Sequence, residues 1–161
     1  MTNFPILSSL ILIPTIGSIF LLFIKSTEKN NSIKYVALFT SLINFFLSLY
    51  LWKLFDNNIS DFQFVETRIW IKNFINYKVG VDGISILFII LATFITPLCI
   101  ISVNNHVKIR LKEFLIAILL METLMIGVFC SLDLIIFYLF FEGGLIPMFL
   151  IIGIWGGNRR V

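Results

Sequence analysis

The chain has 161 residues, of which 59% are hydrophobic and 13% charged, and its mean hydropathy is +1.03. A soluble domain of this size cannot bury so much apolar surface, so the composition excludes an ordinary soluble protein and indicates a bilayer as the solvent. The net charge of +3 comes largely from basic residues in short loops between apolar stretches, where we expect them to set topology rather than bind nucleic acid.

The apolar stretches predict an all-α integral membrane protein with five transmembrane helices, because each stretch is long enough to cross the hydrocarbon core. In chain order the predicted spans lie at residues 4–24, 33–54, 80–103, 113–131 and 134–155. Only a tight turn at 130–133 joins the last two spans. They are therefore expected to form an antiparallel helical hairpin.

Residues 55–79 form the long extramembrane loop of this arrangement. Its apolar residues Phe62, Phe64 and Val65 alternate loosely with Gln63 and Glu66. This pattern fits either a small strand pair or an amphipathic segment at the membrane interface.

The distribution of Lys and Arg predicts the orientation of the spans. One face receives Lys25, Lys29, Lys34, Lys108, Arg110, Lys112, Arg159 and Arg160, and the other receives Lys53, Arg68, Lys72 and Lys78. The more basic face is expected inside, which places the N-terminus outside and the C-terminus inside. We expect residues 1–161 to be a single transmembrane domain. Residues 158–161, Asn-Arg-Arg-Val, read as the start of a loop to a sixth span, which predicts a fragment or a split-gene product.

Glu122 and Glu142 are the only carboxylates in the interiors of the predicted spans. Each lies about 15 Å or slightly less from the end of its span, near the bilayer midplane. Because the two spans form a hairpin, we expect the glutamates to face one another or a shared polar cavity. A carboxyl group at this depth can relay protons, or it can stay protonated and merely hydrogen-bond across helices. Two carboxyl groups at matched depth on adjacent helices favour the proton-transfer reading.

The sequence predicts no cofactor or metal site in this chain. Cys99 and Cys130 lie in apolar segments without CxxC spacing, which argues against a disulfide framework or a metal cluster. A phosphate-binding Gly-rich loop, an iron–sulfur Cys cluster and a Ser/His/Asp set are likewise not found in the sequence.

Two stretches resemble a known family. They are VGVDGIS at residues 79–85, and FYLFFEGGLIPMF at 137–149 continuing to IGIWGG at 152–157. Both are similar to the chain 4 (chain M) subunits of proton-pumping NADH:quinone oxidoreductase, respiratory complex I. The resemblance extends over residues 78–160; before these, only the hydrophobic layout is similar.

This resemblance implies the N-terminal part of an antiporter-like bundle of about fourteen helices. It implies that Glu142 is the essential proton-transferring glutamate of the fifth span and that Glu122 is a second carboxylate in the fourth. Partner subunits of the membrane arm and beyond would then hold NADH, FMN, iron–sulfur clusters and quinone. The host membrane would be the mitochondrial inner membrane or a bacterial plasma membrane.

The chain departs from the family pattern in two respects. The resemblance implies a partner lysine in a seventh span, which this chain does not contain, and Gly143 and Gly144 replace bulkier residues expected beside the glutamate. An alternative function is that of an Mrp-type cation/proton antiporter subunit without redox coupling, and a third is a truncated product that only packs.

Overall fold

A computed structural model describes residues 5–24, 31–71, 75–103, 107 and 110–156. Five α-helices are long and apolar enough to cross a membrane, which confirms the prediction of an all-α membrane protein with five spans. They are α1 (Ile6–Phe23), α2 (Asn31–Leu54), α3 (Gly83–Ser102), α4 (Leu111–Cys130) and α5 (Leu134–Trp155). Of the basic residues used to predict orientation, Lys25, Lys29, Lys72, Lys108, Arg159 and Arg160 lie outside the described residues.

The loop between α2 and α3 is a strand pair, one of the two structures that the sequence allowed. Strands β1 (Gln63–Ile71) and β2 (Ile75–Val81) pair antiparallel. Leu132 N donates to Lys78 O over 3.0 Å, which ties the hairpin to the turn between α4 and α5.

The third helix begins at Gly83, three residues later than the predicted start at 80. Val81 is still paired with Gln63 in the sheet, so the chain stays extended until Asp82. The Asp82 side chain accepts a hydrogen bond from Ser85 N over 2.7 Å and caps the first turn of α3. Hydrogen bonds from Ser85, from its side chain first and from its backbone N–H second, lower the pKa of Asp82 because they stabilise the charged carboxylate.

Helix α4 contacts all four other helices, whereas α5 contacts α4 as its one helical neighbour within the described chain and leaves most of its side chains exposed. The predicted hairpin of α4 and α5 is present. Its helices approach closely at Gly127, where an added Cβ would lie 2.5 Å from Cδ1 of Phe140.

Two apolar clusters fill the core at its opposite ends. The cluster beside the β-hairpin contains Leu7, Leu10, Leu51, Val79, Val81, Ile86, Ile89, Ile126 and Cys130 among others. The cluster at the far end contains Leu21, Ile33, Ala37, Ile100, Leu115 and Leu119. The buried polar residues of α2, α3 and α4 occupy the helical turns between these two sets.

Candidate functional site

A layer of buried polar side chains crosses the middle of the helix bundle, and we call it the polar layer. Its members come from helices α1 to α4: Ser18 of α1, Ser41, Asn44 and Ser48 of α2, Thr93 and Thr96 of α3, and Glu122 and Thr123 of α4. Ser41, Asn44 and Ser48 follow one another at spacings of three and four, so they lie along one face of α2. Hydrophobic residues above and below the layer separate it from both ends of the bundle.

Glu122 lies at the centre of the polar layer and is only 1% exposed. Nδ2 of Asn44 donates to Oε1 of Glu122 over 2.8 Å, across the interface of α2 and α4. Oε2 of Glu122 and Oδ1 of Asn44 are both buried and have no hydrogen-bond partner among the described residues. Both atoms are acceptors when the glutamate is ionised, so each of them lacks a donor among the described residues.

Two pairs of hydroxyl groups form further contacts between helices at the level of the polar layer. Ser48 Oγ of α2 and Thr93 Oγ1 of α3 are 2.8 Å apart, and Thr15 Oγ1 of α1 and Thr123 Oγ1 of α4 are 3.1 Å apart. Each pair joins two helices by a hydrogen bond in which either oxygen can donate. A hydroxyl both donates and accepts, so the hydrogen bond of each pair can run in either direction.

Glu122 also lines a cavity of about 310 Å³ between α3, α4 and α5. Its remaining lining is mostly apolar and comes from Ala92, Ile95, Thr96, Cys99, Phe114, Ile118, Met121, Met125, Met148 and Ile151. The buried glutamate therefore adjoins open space on one side and Asn44 on the other.

Glu142 has very different surroundings on the exposed side of α5. It lies one turn after Tyr138, whose hydroxyl interacts with its carboxylate. The groove beside it is lined by α5 residues alone: Ile135, Tyr138, Leu139, Gly143, Leu145, Ile146 and Phe149. Helix α5 continues unbroken through Pro147.

The structure does not bring the two glutamates together. The expectation of a shared polar cavity is wrong for the described chain, because Glu122 points into the bundle and Glu142 lies on its outer face. Equal distance from a hairpin turn fixes the depth of two residues but not the direction in which each helix turns its side chain.

Asn44 is a site residue that was not predicted from the sequence. The signal was present in the polar residues Ser41, Asn44 and Ser48 on one face of an otherwise apolar helix. No group of three or more His, Cys, Asp or Glu side chains that could hold a metal ion occurs within the described ranges.

The carboxylate of Glu66 in β1 fixes the β-hairpin to the start of α1. It accepts hydrogen bonds from Leu7 N over 2.9 Å and from both the backbone N–H and the hydroxyl of Ser8. Ser8 Oγ also lies 3.1 Å from the hydroxyl of Tyr77, whose pKa is raised by burial. This cluster satisfies donors that the first turn of a helix otherwise leaves unpaired.

Comparisons with known proteins place these residues in a family. Residues 9–128 match the family model described as "NADH-ubiquinone oxidoreductase chain 4, amino terminus". The chain belongs to this family. The match includes Asn44 and Glu122 and ends before Glu142.

Individual relatives extend the similarity to almost the whole chain. NADH-ubiquinone oxidoreductase chain 4 of Marchantia polymorpha is 49% identical over 155 residues, which are 96% of this chain and 31% of that protein. The chain 4 protein of Arabidopsis thaliana is 50% identical over 155 residues, which are again 96% of this chain and 31% of that protein. NADH-quinone oxidoreductase subunit M of Rhodobacter capsulatus is 58% identical over 128 residues, or 80% of this chain and 25% of its own. The chain thus spans a third or less of the length of these chain 4 relatives.

Proposed function

We propose that this chain is part of a proton-translocating membrane-arm subunit of NADH:quinone oxidoreductase, in which intramembrane carboxylates carry protons while partner subunits transfer electrons. The observation that carries the proposal is the buried Glu122, held by Asn44 inside a membrane helix bundle of the chain 4 family. A carboxylate in such a place is costly to keep and is typical of a proton path.

Glu142 is the second proton-transfer residue of this proposal. An ionised carboxylate facing hydrocarbon is unfavourable by roughly 2.5–3.5 kcal/mol on insertion scales, so Glu142 on the exposed side of α5 needs a polar partner in addition to the Tyr138 hydroxyl. We infer that this face of α5 meets protein rather than lipid. The named relatives are longer than this chain, and the family resemblance implies a lysine as the partner.

The redox chemistry is assigned to partner subunits. NADH, FMN, iron–sulfur clusters and quinone would bind there, and this chain would contribute only residues that hold and move protons. The named relatives are subunits of NADH-ubiquinone or NADH-quinone oxidoreductases, which favours this function over the Mrp-type antiporter. Isolation of the tagged chain from its native membrane tests the choice, because co-purification of NADH-oxidising subunits is expected and their absence beside other antiporter subunits would contradict it.

We further propose that the N-terminus lies outside and the C-terminus inside. Helices alternate in direction, so the β-hairpin would be outside and the end bearing Arg110 and Lys112 inside. Cysteines placed at Asn58 and Arg110 test this with a membrane-impermeant maleimide on intact membranes. Labelling from outside is expected at position 58 alone, and labelling at 110 alone would reverse the orientation.

The functional test is Glu142→Gln in the complete assembled complex, with Glu113→Gln as the matched control. Glu113 is an exposed carboxylate at the start of α4 that forms a loose ion pair with Arg110 at 3.7 Å. We expect Glu142→Gln to abolish most NADH-driven proton pumping and quinone reduction while the complex stays assembled, and Glu113→Gln to leave both unchanged. Normal pumping by the Glu142→Gln complex would remove this residue from the proton path.

A further inference from the structure

We propose that Asn44 and Glu122 form an acid–amide pair, in which Glu122 is protonated on Oε2 and donates that hydrogen to Oδ1 of Asn44. Asn44 is then a positioning residue that holds the Glu122 proton in one place. The inference deepens the proposed function and rests on it for its relevance to proton transport.

The first support is the pairing of atoms across α2 and α4. Asn44 Nδ2 donates to Glu122 Oε1 over 2.8 Å, which uses one oxygen of the carboxyl group and the donor side of the amide. The atoms left over are the other carboxyl oxygen and the amide oxygen, both buried and both without a partner in the described chain. An ionised glutamate has no hydrogen to place between two acceptors, whereas a carboxylic acid has one.

The second support is that the part of the chain described by the structure places no positive charge beside Glu122. The charged residues of the described helices lie near helix ends, at Lys34, Lys53, Lys112 and Glu113, apart from Glu142 on the outer face of α5. Lys, Arg and His are not among the residues that line the adjoining cavity. A single amide hydrogen bond is weak compensation for a buried negative charge, so the neutral acid suits these surroundings.

A bound water between the two unpartnered oxygens is the competing arrangement. A water donates two hydrogens and could bridge an ionised Glu122 to Asn44 Oδ1. The two arrangements differ in where the proton lies: the bridged form has a carboxylate, and the acid–amide pair has a carboxylic acid. Infrared spectroscopy distinguishes these, because only the acid shows the carbonyl stretching band of a protonated carboxyl group.

The experiment compares infrared difference spectra of the full complex at neutral pH. Wild type minus Glu122→Gln should isolate one protonated-carboxyl band, which shifts on exchange into deuterated water. In Asn44→Leu the same band should move to higher frequency, because the Glu122 carbonyl loses its N–H donor. Thr96→Val is the matched control: Thr96 lines the same cavity but donates to Ala92 O instead, and the band should not move.

Two results would overturn the pair. If Glu122→Gln removes no protonated-carboxyl band, Glu122 is ionised; if Asn44→Leu leaves the band in place, the amide does not hold the acid. Asn44→Ser, whose shorter side chain cannot span the same distance, replaces Asn44→Leu if the latter fails to assemble. Proton pumping is measured separately on each variant, so a failed spectroscopic result and a failed pumping result are distinguishable.

Discussion

Asn44 and Glu122 stand 78 positions apart in the chain, and their side chains meet over 2.8 Å inside the bundle. Interhelical hydrogen bonds in membranes contribute about 0.6 kcal/mol on average and rarely more than about 2. This contact therefore does little to determine which helices associate. Its larger effect is chemical, because it places one polar partner against the buried carboxyl group of α4.

The close approach of α4 and α5 depends on Gly127. An added Cβ there would overlap the Phe140 ring, and relief of the overlap must displace the ring or separate the helices. We expect Gly127→Ala to destabilise the hairpin by about 1–3 kcal/mol, as overpacking does. The measurement is the thermal stability of the detergent-solubilised complex.

Gly144→Ala is the control for Gly127→Ala, because an added Cβ there meets Leu124 Cβ at 3.9 Å, an ordinary contact. It should leave the stability unchanged or raise it slightly, since alanine favours helix more than glycine does. Equal losses in the two variants would contradict the packing described for α4 and α5.

Glu66 anchors the β-hairpin to α1 by accepting from Leu7 N and from Ser8. Glu66→Ala removes these charge-assisted hydrogen bonds from the first turn of α1, and we expect a loss of about 1–3 kcal/mol. Asp61→Ala, an exposed carboxylate just before the same strand, should have little effect. Protease cleavage within residues 55–79 of the assembled complex should accelerate in Glu66→Ala alone, and equal cleavage of the two variants would count against the anchor.

Lys112 of α4 caps the C-terminus of α1. Its Nζ donates to Leu22 O and Ile24 O, each over 2.8 Å, where the helix leaves carbonyl groups unpaired. Lys112→Met keeps the length of the side chain but removes the charge and the donors, with an expected loss of about 1–2 kcal/mol in the free energy of unfolding. Lys53→Met, at the exposed end of α2, is the control. A thermal shift no larger than that of the control would show that the cap is dispensable.

Asp82 begins α3, and its pKa is lowered from 3.8 by hydrogen bonds from Ser85. A depressed pKa in the folded protein means that the carboxylate stabilises the fold above its ordinary pKa, and that this contribution disappears as the pH falls through the lower folded value. At neutral pH Asp82→Ala should destabilise the subunit by about 1 kcal/mol, whereas Asp82→Asn retains a capping oxygen and should lose less. Thermal unfolding of the two variants at neutral pH compares these losses, and equal losses would mean that the cap is not what fixes the start of α3.

The sequence predicted the membrane fold well because long apolar stretches have few physical alternatives in a bilayer. The predicted start of α3 was wrong, since Gly80 and Val81 are apolar enough to extend a span but belong to β2, and Asp82 caps the helix that follows. Glu122 and Asn44 both lie between the two apolar clusters, in the middle of the bundle.

Rotation of each helix about its axis was not predictable from the hairpin argument. Glu122 and Glu142 were expected to meet, yet α5 turns Glu142 outward while α4 turns Glu122 toward α2. The polar face of α2 was the available clue, because Ser41, Asn44 and Ser48 repeat at helical spacing. Only packing determines which neighbouring helix such a face meets.

In the proposed function, protons pass through the buried carboxyl group of Glu122 in the polar layer. The most direct test is to measure the number of protons pumped per NADH oxidised by complexes carrying Glu122→Gln or Glu122→Asp. Glutamine keeps the shape and a donor for Asn44 but cannot exchange a proton, whereas aspartate keeps the acid on a shorter side chain. We predict that assembled Glu122→Gln complexes lose most pumping and that Glu122→Asp complexes retain part of it. Wild-type pumping by Glu122→Gln would contradict the claim and leave Glu122 as a packing residue.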